Sequence, residues 1–158
     1  MTPEQGAVKN FHALFHSDDP SSPDITSETL AALSISLIAE EFNELIHAVA
    51  QQDPVEVADA LADLLYVVNG AGLRFGIDLE PIFWEVHRSN MSKLPTNGIM
   101  QYREDGKVIK PETYSRPNLA PIIEKQKNDR TSLNVTTDYE DMGPGMPERT
   151  EEPATDGA

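Results

Sequence analysis

The run Leu37-Ile38-Ala39-Glu40-Glu41-Phe42-Asn43-Glu44-Leu45 puts carboxylates where a helix would otherwise bury carbon. At roughly 100° per residue, Glu41 and Glu44 share one face of such a helix. Glu44 also falls seven residues after Leu37 and fourteen after Leu30, so it continues an apolar stripe. The run Glu56-Val57-Ala58-Asp59-Ala60-Leu61-Ala62-Asp63 repeats the arrangement. On a helical wheel Glu56, Asp59 and Asp63 lie within roughly 60° of one another, while Leu61, Leu64, Leu65 and Val68 take the apolar side. A carboxylate on a buried stripe is costly unless it is paired or bound to a metal, and neither run contains a lysine or arginine. Acids gathered in one cleft repel until a cation neutralises them, and a set of oxygen ligands suits Mg²⁺ or Mn²⁺. Such an ion keeps waters and shares its remaining positions with substrate phosphates, so the chemistry implied is metal-assisted work on a phosphate ester or anhydride. The competing account makes these acids the solvated face of two amphipathic helices. It serves Glu40 and Glu56, taken singly, equally well.

Two long helices must position these groups. Ser27-Glu28 opens the first, along which Leu30, Leu33, Leu37, Ile38, Leu45 and Val49 recur at three- and four-residue steps up to Gln52. Asp53-Pro54 is an N-cap followed by proline at the first helical position, and it starts a second helix that runs to about Asn69, where Gly70 and Gly72 are expected to loosen the chain. So short a connection forces the helices antiparallel. Glu44 then precedes the turn by about as much as Asp63 follows it, and the acids can converge. A shorter helix is expected around Val8 to Phe15, with Val8, Phe11, Leu14 and Phe15 inward. Another runs from about Leu79 to Met91 after Asp78. Asp105-Gly106 between Tyr102 and Val108 predicts a tight β-hairpin. The fold class expected is all-α, a four- to five-helix bundle with a small β-hairpin after the last core helix.

The chain has 158 residues, enough for one domain with a core but not for two. Residues 129–158 hold eight acidic and two basic side chains among Pro, Gly and Thr, and are expected to form a disordered acidic tail on a domain spanning 1–128. Without cysteine there is neither a disulfide nor a thiolate metal site. A formal net charge of -15 argues against a nucleic-acid backbone as partner. No apolar stretch approaches the roughly 20 residues that span a bilayer, and Met1 to Asn10 has no secretion-signal pattern, so no membrane partner and a cytoplasmic location are expected.

Taken together, these residues resemble the MazG-like superfamily of all-α pyrophosphohydrolases, which includes phosphoribosyl-ATP pyrophosphohydrolase and helical dUTPases. The family pattern, Glu-x-x-Glu on one helix and Glu-x-x-Asp on the next, is met by Glu41 and Glu44 on the first. On the second, Asp63 takes the Asp position and the expected Glu falls on Ala60, with Asp59 its substitute; an alternative register uses Glu56 and Asp59. The likeness extends through Ala58-Asp-Ala-Leu-Ala-Asp-Leu-Leu-Tyr66, Phe75-Gly-Ile-Asp-Leu79, Glu85-Val-His-Arg-Ser-Asn-Met-Ser-Lys93, Gly106-Lys107-Val108 and Lys110-Pro111. This series is similar to the phage and bacterial branch, and would place the protein in a host cytoplasm if phage-encoded.

The resemblance implies Mg²⁺- or Mn²⁺-dependent hydrolysis of a nucleoside or deoxynucleoside triphosphate to monophosphate and pyrophosphate, a purine nucleotide such as (d)GTP being favoured. It makes Glu41, Glu44, Asp59 and Asp63 the metal ligands and Glu40 the group that orients or deprotonates the attacking water. Asn90 would reach base or sugar; Lys93, Lys107 and Lys110 would meet phosphates. It also implies a homodimer or tetramer. His87 and Arg88 are weaker candidates, Phe83 and Trp84 read as core or interface, and His12, His16 and His47 have no partner at ligand spacing. Two rivals stay open: a phosphoribosyl-ATP pyrophosphohydrolase proper, and a non-enzymatic acidic protein that mimics DNA and occupies a basic partner's groove.

Overall fold

The computed structural model describes residues 1–15 and 19–129. His16, and all of the acidic segment expected at 129–158 except Asp129, lie outside the described residues. Five helices follow in order: α1 (Pro3–Leu14), α2 (Glu28–Gln51), α3 (Pro54–Arg74), α4 (Leu79–Met91) and α5 (Ala120–Asn128). The fold is all-α, with no strand among the described residues. No single helix there is long and apolar enough to cross a membrane.

Each of the first four helices starts at a side-chain cap. Thr2, Ser27, Asp53 and Asp78 accept backbone N–H groups that the first turn leaves unpaired, and Pro3 and Pro54 fill helix positions where a missing N–H costs nothing. The α2–α3 reversal is the tightest. Gln52 adopts left-handed φ 56° and ψ 33° and sends its N–H back to Ala48 and Val49, while Asp53 Oδ1 accepts from Val55 and Glu56. The two helices therefore fold antiparallel and form the main packing of the molecule.

What lies between them differs from the leucine stripe. The buried positions of α2 are Ser34 and Ala48, and Ala60 of α3 is buried too; Leu33 and Val49 are 43 % and 58 % exposed. Leu30, Leu37, Ile38 and Leu45 of the stripe are half-buried. In α1 the inward face is Gln5, Val8 and His12, whereas Phe11, Leu14 and Phe15 are exposed.

Helix α3 does not end at Asn69 but continues through both glycines to Arg74. The reason is contact with α1 and α4: a Cβ on Gly72 would come within 2.7 Å of Gln5 Nε2 and 2.8 Å of Leu79 Cδ1. These glycines serve close approach rather than flexibility. The next turn is clamped from several sides. Gln5 Nε2 donates to Ile77 O and its Oε1 accepts from Leu79 N; Gln126 Oε1 accepts from Asp78 N and its Nε2 donates to Asp78 O. Asp24 N donates to Phe75 O. Helix α5, which carries Gln126, was not expected from the sequence.

The small hairpin is a correction. The Asp105-Gly106 turn forms, with Gly106 at φ 78°, but the flanks meet only in an isolated antiparallel bridge between Tyr102 and Val108. A two-stranded ribbon with no third strand or covering helix has little to hold a longer ladder.

Gly76 has φ 63°, and a Cβ there would overlap the Ser22 carbonyl. Gly76→Ala should therefore cost about 2–4 kcal/mol in denaturant unfolding through backbone strain and overpacking. An unchanged midpoint would mean that the Ser22 segment does not pack on this turn.

Candidate functional site

The reversal at Gln52 brings the carboxylates of α2 and α3 into one neighbourhood. Burial pushes the Glu41 carboxyl above its ordinary range, and the nearby charges of Glu44, Asp63, Glu40 and Asp59 push it the same way. Four of the acids singled out on these helices thus act on Glu41. Glu44 and Asp59 also line a cleft of about 200 Å³ with His47, Ala48, Gln51, Glu56 and Ala60. Glu56 shares this cleft with Glu44, while Asp59 and Asp63 are the α3 acids whose charges act on Glu41. Ala60, where the resemblance expects a glutamate, is 4 % exposed and brings no charge.

His47, taken as structural from its isolation in the sequence, lies in the acid cleft. The signal was its position three residues after Glu44, one turn along the same face. His12 keeps its structural role: it is buried, and its Nδ1 is hydrogen-bonded to Asp19.

Among the described residues, no three His, Asp or Glu side chains converge closely enough to enclose a metal ion. The donor set still suits a hard divalent cation. Mg²⁺ is commonly held by one or two carboxylates, its other positions going to water and substrate phosphate, so a closed protein cage is not required. The crowding felt at Glu41 is the electrostatic condition that such an ion relieves.

A second group forms at the end of α4. Lys93 Nζ donates to Asn90 Oδ1 at 2.7 Å, and Lys110 Nζ lies 4.6 Å from the centre of the Tyr114 ring. The Tyr114 phenol is drawn below its ordinary value by a hydrogen bond from Ser89, against burial, and by the charges of Lys110 and Lys93. Lys93 also lines a pocket of about 130 Å³ with Pro95, Asn97, Ile99, Gln101, Ile109 and Pro111. Lys107 is not brought into this group; it stands exposed on the turn, 3.6 Å from Asp105.

Arg88 holds structure together. It forms a two-pronged pair with Glu85 at 2.8 Å and donates to Ser115 Oγ and Arg116 O. Glu85 also accepts from Asn118 N, and these bonds hold its carboxyl down at about 2. Residues 113–118 are thereby strapped along α4. His87 stacks on Phe83 and meets Trp84 edge-on, a cluster in which both Phe83 and Trp84 are exposed. The strap and Tyr114 escaped sequence reasoning because residues 111–118 carry no helical or strand period.

The family model described as Phosphoribosyl-ATP pyrophosphohydrolase matches residues 8–90, more than half of the chain. An uncharacterized protein of Acanthamoeba polyphaga mimivirus is 29% identical over 112 residues, which cover 70% of this chain and 42% of the viral protein. The chain thus spans less than half the length of that relative.

Because the folded Glu41 carboxyl titrates above its ordinary value, the metal-free protein loses stability as pH rises from the unfolded carboxylate range through the higher folded one. Glu41→Gln removes that loss, so its melting temperature should equal or exceed wild type at pH 7 without metal. A clear fall in melting temperature would show that the Glu41 charge is paired.

Proposed function

The chain belongs to the phosphoribosyl-ATP pyrophosphohydrolase family, within the MazG-like all-α superfamily, and from that premise we propose that it hydrolyses a nucleoside or deoxynucleoside triphosphate between its α and β phosphates. Membership points to nucleotide pyrophosphohydrolase chemistry. The observation that carries the finer reading is Glu41, whose carboxyl is raised above its ordinary value by burial and by the charges of Glu44, Asp63, Glu40 and Asp59 from two helices. A DNA mimic would spread its acids over an outer face rather than aim them at one another.

Glu41, Glu44, Asp59 and Asp63 would hold Mg²⁺ or Mn²⁺, which when bound supplies neutralisation of phosphate oxygens and a more acidic water. Glu40, one residue from Glu41, would orient the attacking water and take its proton as the water oxygen bonds to the α-phosphorus. The bond from the α-phosphorus to the bridging oxygen breaks, and pyrophosphate leaves with the electron pair. Lys93 and Lys110 meet its charge. Asn90, its Oδ1 engaged by Lys93, offers its Nδ2 donor to base or sugar.

The favoured substrate is a purine nucleotide, (d)GTP ahead of dATP, a choice resting on the likeness to phage members. Phosphoribosyl-ATP itself is the second reading, favoured by the description of the matching family. We assign the activity to residues 1–128, with 129–158 an acidic appendage, and a cytoplasmic setting. Self-association into a homodimer or tetramer is part of this reading. It is supported by large apolar side chains that α2, α3 and α4 turn outward, among them Ile35, Phe42, Leu65, Phe83 and Trp84, which leave more carbon exposed than a lone soluble domain usually tolerates.

Pyrophosphate release from all eight common NTPs and dNTPs and from phosphoribosyl-ATP, with Mg²⁺ or Mn²⁺, should reveal one preferred substrate. Glu41→Gln and Glu44→Gln should each lower turnover by about 100-fold or more, since each removes a ligand rather than a supporting contact. No release from any substrate, or release unaffected by both changes, would sink the proposal.

A further inference from the structure

Tyr114 stands where three constraints meet. Its neighbours are tied to the last turn of α4: Thr113 Oγ1 donates to Ser92 O and Leu94 O, and Ser115 N donates to Ser92 Oγ. Its own N–H closes a turn on Pro111 O. The ring is thereby set beside Ser89, which is 3 % exposed and hydrogen-bonds the phenol oxygen. On the other side the ring carries the Lys110 ammonium, with Lys93 close enough to act on the phenol.

Holding two ammonium groups near each other is unfavourable without an anion between them or a partner for each. Asn90 partners Lys93, and the Tyr114 ring partners Lys110. The chain has 12 basic and 27 acidic side chains, and its overall field repels a polyanion. Lys93, which lines a pocket with Ile109 and Pro111, and Lys110 on the Tyr114 ring are the basic groups at which a condensed phosphate can still be received.

We propose that Tyr114 is a positioning residue of a condensed-phosphate site, its ring holding the Lys110 ammonium toward the β and γ phosphates of the substrate or the pyrophosphate product. The substrate named here rests on the pyrophosphohydrolase reading; the cation cluster does not. Tyr114 acts through Lys110, so its loss alters affinity and KM while leaving kcat in place.

The test is calorimetric titration of the full chain with inorganic pyrophosphate, beside melting temperatures and nucleotide kinetics. Lys110→Gln should weaken pyrophosphate binding about tenfold, the size of a lost charge-assisted contact. Tyr114→Leu should weaken it about three- to fivefold, as expected for a cation–π contact, and Tyr114→Phe, which keeps the ring, by less. The double change Lys110→Gln with Tyr114→Leu should be no worse than Lys110→Gln alone, because the tyrosine acts through that lysine. If Tyr114 only packs the strap, melting temperatures fall while pyrophosphate affinity stays unchanged, or the two effects add; either result overturns the proposal. Should Tyr114→Leu fail to fold, Lys110→Gln and Tyr114→Phe decide, and affinity unchanged in both is fatal. Pyrophosphate binding that responds to these changes in a protein that hydrolyses no nucleotide would refute the activity and leave the site standing.

Discussion

The reversal at Gln52 and Asp53 is the constraint from which the acid cluster follows. A left-handed residue closes α2 and an aspartate caps α3 immediately afterwards, leaving the helices no geometry but antiparallel contact. Because the turn is so short, positions at similar distance on either side of it are brought opposite each other. Glu41 and Glu44 before it and Asp59 and Asp63 after it become neighbours as a matter of register. A longer loop would allow the helices to slide and the charges to part. As it stands, folding places five acids in one region, a cost that packing elsewhere offsets and that a divalent cation would reduce.

The packing that meets this cost is unusual in using little bulk. Ser34, Ala48 and Ala60 are the most buried positions of α2 and the first turns of α3, while Val8, Ala71 and Leu73 are the remaining buried hydrophobic core among the described residues. The same economy recurs at Gly72, where α1, α3 and α4 meet around the Gln5 amide. Polar side chains with all their bonds made, such as Gln5 and Gln126, take the place that leucines hold in a larger core.

Much of this was legible in the sequence, for identifiable reasons. The caps Ser27, Asp53 and Asp78 announce helix starts because they satisfy N–H groups locally, and α2, α3 and α4 begin where they indicate. The acids stood out because they interrupt a helical stripe. Other features were hidden because they depend on residues distant in the chain. Gly70 and Gly72 look like breakers until α1 is seen against them. The Asp105-Gly106 turn is local and forms; the ladder it would start needs neighbours the fold does not provide. Helix α5, the strap over α4 and the setting of Tyr114 depend on Gln126, Glu85, Arg88 and Ser92, whose bonds cross from about 20 to nearly 50 positions of sequence. His47 is marked in the sequence only by the acid one turn before it, Glu44, with which it lines the cleft.

The central claim is that water attacks the α-phosphorus of a nucleotide at the acids of α2 and α3. Hydrolysis in heavy-oxygen water, followed by mass spectrometry of both products, tests it most directly. The account predicts the heavy oxygen in the nucleoside monophosphate and none in pyrophosphate. Label appearing in pyrophosphate or in orthophosphate would place the attack on another phosphorus and contradict it.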